Sequence, residues 1–349
     1  MHKINTNNFD FLRVLFASTV AIAHLIKLAQ IPELQPYIHL FNARLAIDGF
    51  FIISGFLIAK SYERNKNFKI YIEKRIKRIV PAYFFVILFC GLSFSLISTN
   101  TMSEYFFNLQ FWKYLLANLS FQNYFEPCLP GVFNNNLLCA VNGALWTIKI
   151  EEAFYLLLPI FYYLIDFKKV NVYLLSAIIY IVSIVYFNYF SVIDMYRIAK
   201  QLPGALAFFI TGVVFFKNFN LLIKWKHYLI VPCFLFFILE QYVFQTQILK
   251  PITFGFMVFY IAYSFSWLNN FGKYGDFTYG IYIYHFPIIQ VFVYYDLFNK
   301  YGYISASFLV LMLVLVASIA SWYLLELRYL SKNRKLRYQK INIEWFSNK

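Results

Sequence analysis

The sequence predicts an all-α fold: a polytopic transmembrane helical bundle of about ten helices with both termini cytoplasmic. Three observations lead there. Of the 349 residues, 61% are hydrophobic and 13% charged, with a mean hydropathy of +0.59, whereas an ordinary soluble domain carries about 25% charged residues. The apolar residues gather into runs long enough to cross a bilayer. The basic residues fall between these runs and favour every second connection. The net charge of +15 therefore reads as a topology signal, and a nucleic-acid partner is not expected.

The runs lie at roughly 9–28, 44–60, 79–98, 143–165, 171–190, 201–217, 228–244, 250–268, 276–297 and 303–325. Each holds about 17–23 residues, enough for ~30 Å of hydrocarbon at a rise of 1.5 Å per residue. The connection after the second run carries Lys60, Arg64, Lys66, Lys69, Lys74, Arg75, Lys77 and Arg78. Later even-numbered connections hold Lys168 and Lys169, then Lys217, Lys224 and Lys226, then Lys273. The longest odd-numbered one, about 99–142, has Lys113 as its single Lys or Arg. Lys and Arg mark cytoplasmic loops, so both ends of the chain are expected in the cytoplasm. Asp10 and Arg13 interrupt the start of the first run and no small-x-small site follows it, so it reads as a span and not as a cleaved leader. Residues 1–330 are expected to form one membrane domain, and 331–349 a basic cytoplasmic tail.

The connection 99–142 contains a possible amphipathic helix near 103–121 and two cysteines, Cys128 and Cys139. These face the oxidising side, where a disulfide between them stays open, since the sequence does not give their separation. Cys90 and Cys233 lie within runs, and no Cys/His spacing suggests a metal site.

Ionisable residues inside spans are expensive and mark candidate sites. Arg13 and His24 share the first run. Eleven residues is about 1,100° of helical rotation, so both point from one face, about 16 Å apart along the axis. Asp48 opens the second run, Glu151 and Glu152 sit in the fourth, and His285 lies in the ninth amid Tyr279, Tyr282 and Tyr284. An imidazole beside a carboxylate and away from bulk water makes a proton acceptor. Other readings remain: Asp10 and Arg13 as an i,i+3 pair, Asp48 as a cap, His285 as a packing residue. Glu151 and Glu152 point about 100° apart, so only one can face a given site directly.

Five segments then follow in order: Arg13 with His24; Asp48-Gly49-Phe50-Phe51-Ile52-Ile53-Ser54-Gly55-Phe56-Leu57-Ile58; Arg75 and Arg78 with Pro81-Ala82-Tyr83; Trp146-Thr147 with Glu151-Glu152-Ala153-Phe154-Tyr155-Leu156; and Thr278-Tyr279, Tyr282, His285 and Pro287, with Glu326 near the end. In these motifs the chain resembles the bacterial membrane acyltransferase family 3, the surface-polysaccharide O-acetyltransferases, over about residues 8–328. It departs at Lys149, where the family has a small residue, and at Val14, where it has Gly. Many members carry a further extracytoplasmic esterase-like domain; here the membrane domain or a partner is expected to complete the transfer.

The resemblance implies a multi-pass enzyme of the bacterial cytoplasmic (inner) membrane. It takes acetyl groups from cytoplasmic acetyl-CoA, with no tightly bound cofactor, and passes them to a lipopolysaccharide, other surface glycan or lipid-linked oligosaccharide. On that expectation Arg13, Arg75 and Arg78 hold the CoA phosphates, and His24 is the base or a transient acyl carrier. Glu151 or Asp48 supports its imidazole. His285, Tyr282 or Thr147 stabilises the oxyanion, and Trp146, Thr147, Glu152 and Tyr282 are the substrate-contacting candidates. The acyl group and the acceptor glycan stay open. A transporter or flippase without acyl chemistry is the competing expectation, although the two similar halves common in transporters are not evident.

Overall fold

The computed structural model describes residues 6–330 apart from 245; the basic tail expected at 331–349 lies outside the described residues. Helices occupy all ten apolar runs. They are α1 (Phe9–Ala29), α2 (Ala43–Arg64), α3 (Phe68–Ser93), then the loop helices α4 (Met102–Phe107) and α5 (Leu109–Leu119). There follow α6 (Trp146–Asp166), α7 (Val172–Val192), α8 (Leu202–Lys217), α9 (Phe219–Leu239), α10 (Lys250–Ser264), α11 (Thr278–Tyr294) and α12 (Tyr303–Ser321). Among the described residues, seven helices are both long and apolar enough to cross a membrane. Of the remaining runs, α6 carries Lys149, Glu151, Glu152 and Asp166, while α10 and α11 have 15 and 17 residues. Among the described residues the one trace of β-structure is an antiparallel bridge between Cys128 and Ala140. Large apolar side chains stand exposed along α7, α9 and α12, among them Val185, Val231, Phe236, Phe308 and Val316. Such faces suit lipid and not water.

Helix starts differ from the hydropathy runs in two places. α3 begins at Phe68, so Lys74, Arg75, Lys77 and Arg78 stand on a helix and not in a loop. α9 begins at Phe219, directly after Asn218 closes α8, and takes in Lys224 and Lys226. Lys and Arg are good helix formers whose stems lie along apolar surface, so charge ends a hydropathy run before it ends the helix. The segment near 103–121 forms two helices, because Asn108 is extended and its side chain accepts the Gln110 N–H as the N-cap of α5, at 2.8 Å.

The chain divides into two compact units. The first comprises Met1–Arg13, Leu45–Glu73 and Ile150–Phe271. Here α2 and α8 cross backbone to backbone: a Cβ on Gly55 would meet the Phe209 carbonyl, and one on Gly212 would meet the Ile52 carbonyl. Small residues at such a crossing are how helices approach closely inside a membrane. Phe56 then packs its ring against Phe9, Phe216, Phe219, Phe259 and Tyr263. The Asn8 amide donates to the carbonyls of Ile261 and Phe265 at 2.8 Å each, satisfying groups that the end of α10 leaves open.

The second unit comprises Val14–Arg44, Lys74–Lys149 and Gly272–Lys349. α11 packs along α12, and Gly280 lets them close: a Cβ there would stand 2.6 Å from the Ser318 Cα. The long connection is tied by a Cys128–Cys139 disulfide, with Cα atoms 5.3 Å apart. Thr101 and Glu104 form a reciprocal capping box at the start of α4.

Prolines inside helices leave a carbonyl four residues earlier without its N–H partner. In the first unit, Pro159 orphans the Tyr155 carbonyl, and the Tyr71 hydroxyl donates to it at 3.1 Å. In the second, Pro287 orphans the Ile283 carbonyl, and the Asn142 amide donates to it at 2.8 Å. A backbone group at membrane depth needs such a partner, since hydrocarbon offers none.

Candidate active site

In the second unit, α1 and α11 bring two imidazoles together. His24 Nδ1 and His285 Nε2 are 2.8 Å apart, with the rings near-parallel at 9° and centroids 5.1 Å apart. His24 is half-buried and His285 has no exposure. The other nitrogen of His285, Nδ1, donates to the Ile281 carbonyl at 3.0 Å. The Phe286 ring sets its edge on His24 at 5.3 Å. It fits because residue 143 is Gly: a Cβ there would lie 2.7 Å from Phe286 Cζ.

Thr147 and Tyr282 lie beside this pair. Their hydroxyl oxygens are 2.5 Å apart, and Tyr282 OH donates to the Ala144 carbonyl at 3.1 Å. The Thr147 hydroxyl also reaches the Ala144 carbonyl, at 3.5 Å, so the two hydroxyls brace the start of α6 against α11. The Tyr282 ring meets His285 edge-on at 5.9 Å. Trp146, the first residue of α6, is half-buried.

Arg78 on α3 is engaged in a compact ionic cluster. Its guanidinium donates to Asp276 at 2.6 Å and to Glu326 at 3.4 Å, and lies about 6 Å from the rings of Tyr279 and Trp322. Glu326 is 2% exposed, and the Ser321 hydroxyl also donates to it. It sits in a π-helical turn, Trp322–Glu326, that follows α12. Arg75 is half-buried one turn earlier on α3.

A cavity of about 660 Å³ opens at the far end of α1, lined by Lys27, Gln30, Pro32, Gln35, Ile38 and Leu137. Lys27 is one turn beyond His24 and on the same face. A second, apolar cavity of about 440 Å³ runs among Phe85, Phe89, Pro287, Ile288, Leu313 and Leu324.

The first unit holds the remaining candidates. Asp48 is buried in α2. Glu151 accepts hydrogen bonds from the hydroxyls of Tyr155 at 2.5 Å and Ser54 at 3.5 Å, which gives the Ser54-Gly55 pair two tasks: Ser54 serves Glu151, Gly55 the helix crossing. Glu152 is half-buried on the next position. Arg13 stands 3.9 Å from Asp10, one turn away on α1.

Two amides were missed at the sequence level. Besides Asn142, there is Gln290 on α11, fully buried. Its amide donates to the carbonyls of Leu138 and Ala140 at 2.6 and 2.7 Å, and its Oε1 accepts from Asn136 at 3.0 Å. The available signal was a lone Gln in an apolar run, a position where an amide requires partners. Among the described residues no group of three or more His, Cys, Asp or Glu side chains is placed to hold a metal ion.

Paired imidazoles within a bundle of apolar helices, with cationic groups and a cavity that Lys27, Gln30 and Gln35 help to line on the same unit, fit a membrane-embedded acyltransferase. Residues 6–327 match the acyltransferase domain over nearly the whole chain, and the protein belongs to acyltransferase family 3. It is similar to the O-acetyl transferase of Shigella phage Sf6, 26% identical over 350 residues, covering 95% of this chain and 98% of that one. It is similar in part to nodulation protein 10 of Rhizobium leguminosarum bv. viciae, 31% identical over 44% of this chain and 43% of the relative. The O-acetyltransferase OatA of Staphylococcus aureus (strain NCTC 8325 / PS 47) is 30% identical over 40% of this chain and 24% of its own length. No solved structure matches the chain.

Proposed function

We propose that this protein is an O-acetyltransferase of the bacterial cytoplasmic membrane that moves an acetyl group from cytoplasmic acetyl-CoA to a hydroxyl of an extracytoplasmic surface glycan. The observation that carries this reading is the contact between His24 and His285 on helices of a membrane acyltransferase. The full-length likeness to a phage O-acetyl transferase supports the O-acetyl chemistry. Arg13 and Arg75 are the cations that would meet the CoA phosphates. Arg78 organises that end of α3 by holding Asp276 and Glu326. The cavity beside Lys27, Gln30 and Gln35 offers amides and a cation to a sugar on the other side of His24.

The chemistry needs one proton carrier. His24 removes the proton from the sugar hydroxyl as its oxygen attacks the thioester carbonyl. The new C–O bond forms, the C–S bond breaks, and the CoA sulfur leaves with the proton His24 held. Alternatively His24 first takes the acetyl group itself and then yields it to the sugar. NMR of surface glycan from a deletion strain, complemented with wild type or His24→Ala, tests the proposal. O-acetyl signals restored by wild type and not by an inserted His24→Ala protein are expected. Unchanged acetylation in every strain would overturn it and favour a transporter.

A further inference from the structure

We infer that His285 is the positioning residue that sets the tautomer of His24 and makes Nε2 its reacting nitrogen. This rests on His24 being the proton or acyl carrier. The argument is a hydrogen count. A backbone carbonyl only accepts, so the 3.0 Å contact between His285 Nδ1 and Ile281 O places a hydrogen on Nδ1. His285 has no exposure, and its partner is a carbonyl, not a carboxylate, so the ring is the neutral form. A neutral imidazole carries one N–H, which leaves Nε2 of His285 as a lone pair. The 2.8 Å contact with His24 Nδ1 therefore takes its hydrogen from His24. It follows that neutral His24 carries its hydrogen on Nδ1 and its lone pair on Nε2.

The order Ile281 carbonyl, His285, His24 repeats the logic of a triad, in which a third group fixes the second so that the second can act. In the reverse arrangement His24 would hold its hydrogen on Nε2 and could not accept one there. The device also serves the charged state: once His24 Nε2 has taken the sugar's proton, the Nδ1–H to His285 Nε2 bond becomes a charge-assisted one and is strengthened. No proton leaves the pair, and the one gained at Nε2 departs with the CoA sulfur. Helical geometry holds the chain of bonds in place. Ile281 and His285 are one turn apart on α11, and the helix bond from His285 N and the side-chain bond from Nδ1 meet at one carbonyl.

The test is acyl transfer by purified protein in lipid nanodiscs, with acetyl-CoA as donor and chemically de-O-acetylated surface glycan from the source cells as acceptor. Thiol release and glycan acetylation are read together. His285→Phe removes the acceptor and is expected to lower kcat about 10²–10⁴-fold, the range for proton transfer by a positioned side chain. KM for acetyl-CoA should stay near the wild-type value. His285→Gln keeps an oxygen acceptor for His24 Nδ1–H and is expected to recover at least tenfold over His285→Phe. Binding of acetyl-CoA by His285→Phe, measured by calorimetry, shows that the variant is folded. Wild-type kcat in His285→Phe, or equal loss in a folded His285→Gln, would overturn the inference while leaving the enzyme assignment intact. Wild-type protein that transfers nothing would overturn the assignment itself.

Discussion

The side-chain amide of Asn142 gives the Ile283 carbonyl the hydrogen bond that Pro287 withholds, at 2.8 Å. The proline removes an N–H from the helix that carries His285, and the asparagine supplies the donor in its place. Asn142→Ala strands a buried carbonyl and is expected to lower stability in detergent by about 1–3 kcal/mol. Pro287→Ala restores an N–H at position 287 and removes the need for Asn142, so the loss from Asn142→Ala should shrink in the double variant. A thermal-unfolding cycle on the four proteins reads this out. Equal losses in both backgrounds would break the link.

Gly143 is the space into which Phe286 fits against His24. Gly143→Ala places a methyl group 2.7 Å from Phe286 Cζ, and the ring must move. A displacement of about 1 Å near a reacting group costs on the order of 10²-fold in rate. The expected outcome is a fall in kcat of that size. Phe286→Leu in the same protein should relieve it, and kinetics of the double variant check the relief.

Arg78 should separate from Arg13 and Arg75 by what its loss changes. Arg78→Ala takes the guanidinium from two carboxylates, Asp276 and Glu326, that are 15% and 2% exposed, a loss expected near 3–5 kcal/mol of stability. Arg78→Lys recovers only part, since an ammonium cannot fork to two carboxylates. Arg13→Ala and Arg75→Ala are expected to raise KM for acetyl-CoA about tenfold, the worth of one charge-assisted hydrogen bond. Melting curves and initial rates distinguish the two behaviours.

The α4 capping box should respond to acid. The Thr101 backbone N–H and hydroxyl both donate to Glu104, at 2.9 and 3.0 Å, and hold its carboxyl below the usual range. A carboxyl lowered in the folded state contributes stability above its unfolded value of about 4. That contribution disappears as pH falls below it. The protection of the amides in the first turn of α4, measured as exchange relative to the intrinsic rate at each pH, is expected to fall as pH drops from about 4 through the lowered folded value. Glu104→Gln should show a protection that does not change over the same range.

The helical bundle was legible because apolar runs of membrane length say little else, and each run contains a helix. The helix starts at Phe68 and Phe219 were not, since hydropathy stops where Lys begins while helix propensity does not. His24 and His285 stood out as ionisable groups within spans. Their contact did not, because residues 261 positions apart meet only once α1 and α11 pack. The resemblance implies a CoA contact for Arg78, but its pairing with Asp276 and Glu326 was not legible, since they lie about 200 and 250 residues further on. Asn142 and Gln290 carried a weak signal, since a neutral amide looks alike whether it caps a carbonyl or faces solvent.

Gln290 fastens the long loop to α11 largely through main-chain atoms, the carbonyls of Leu138 and Ala140. Any side chain at 138 or 140 presents the same carbonyl. The anchor is therefore blind to the side chains at 138 and 140, while it keeps a side-chain partner in Asn136. One amide thus fixes the backbone course of this loop against the helix bearing His285 and asks nothing of two of the side chains it passes.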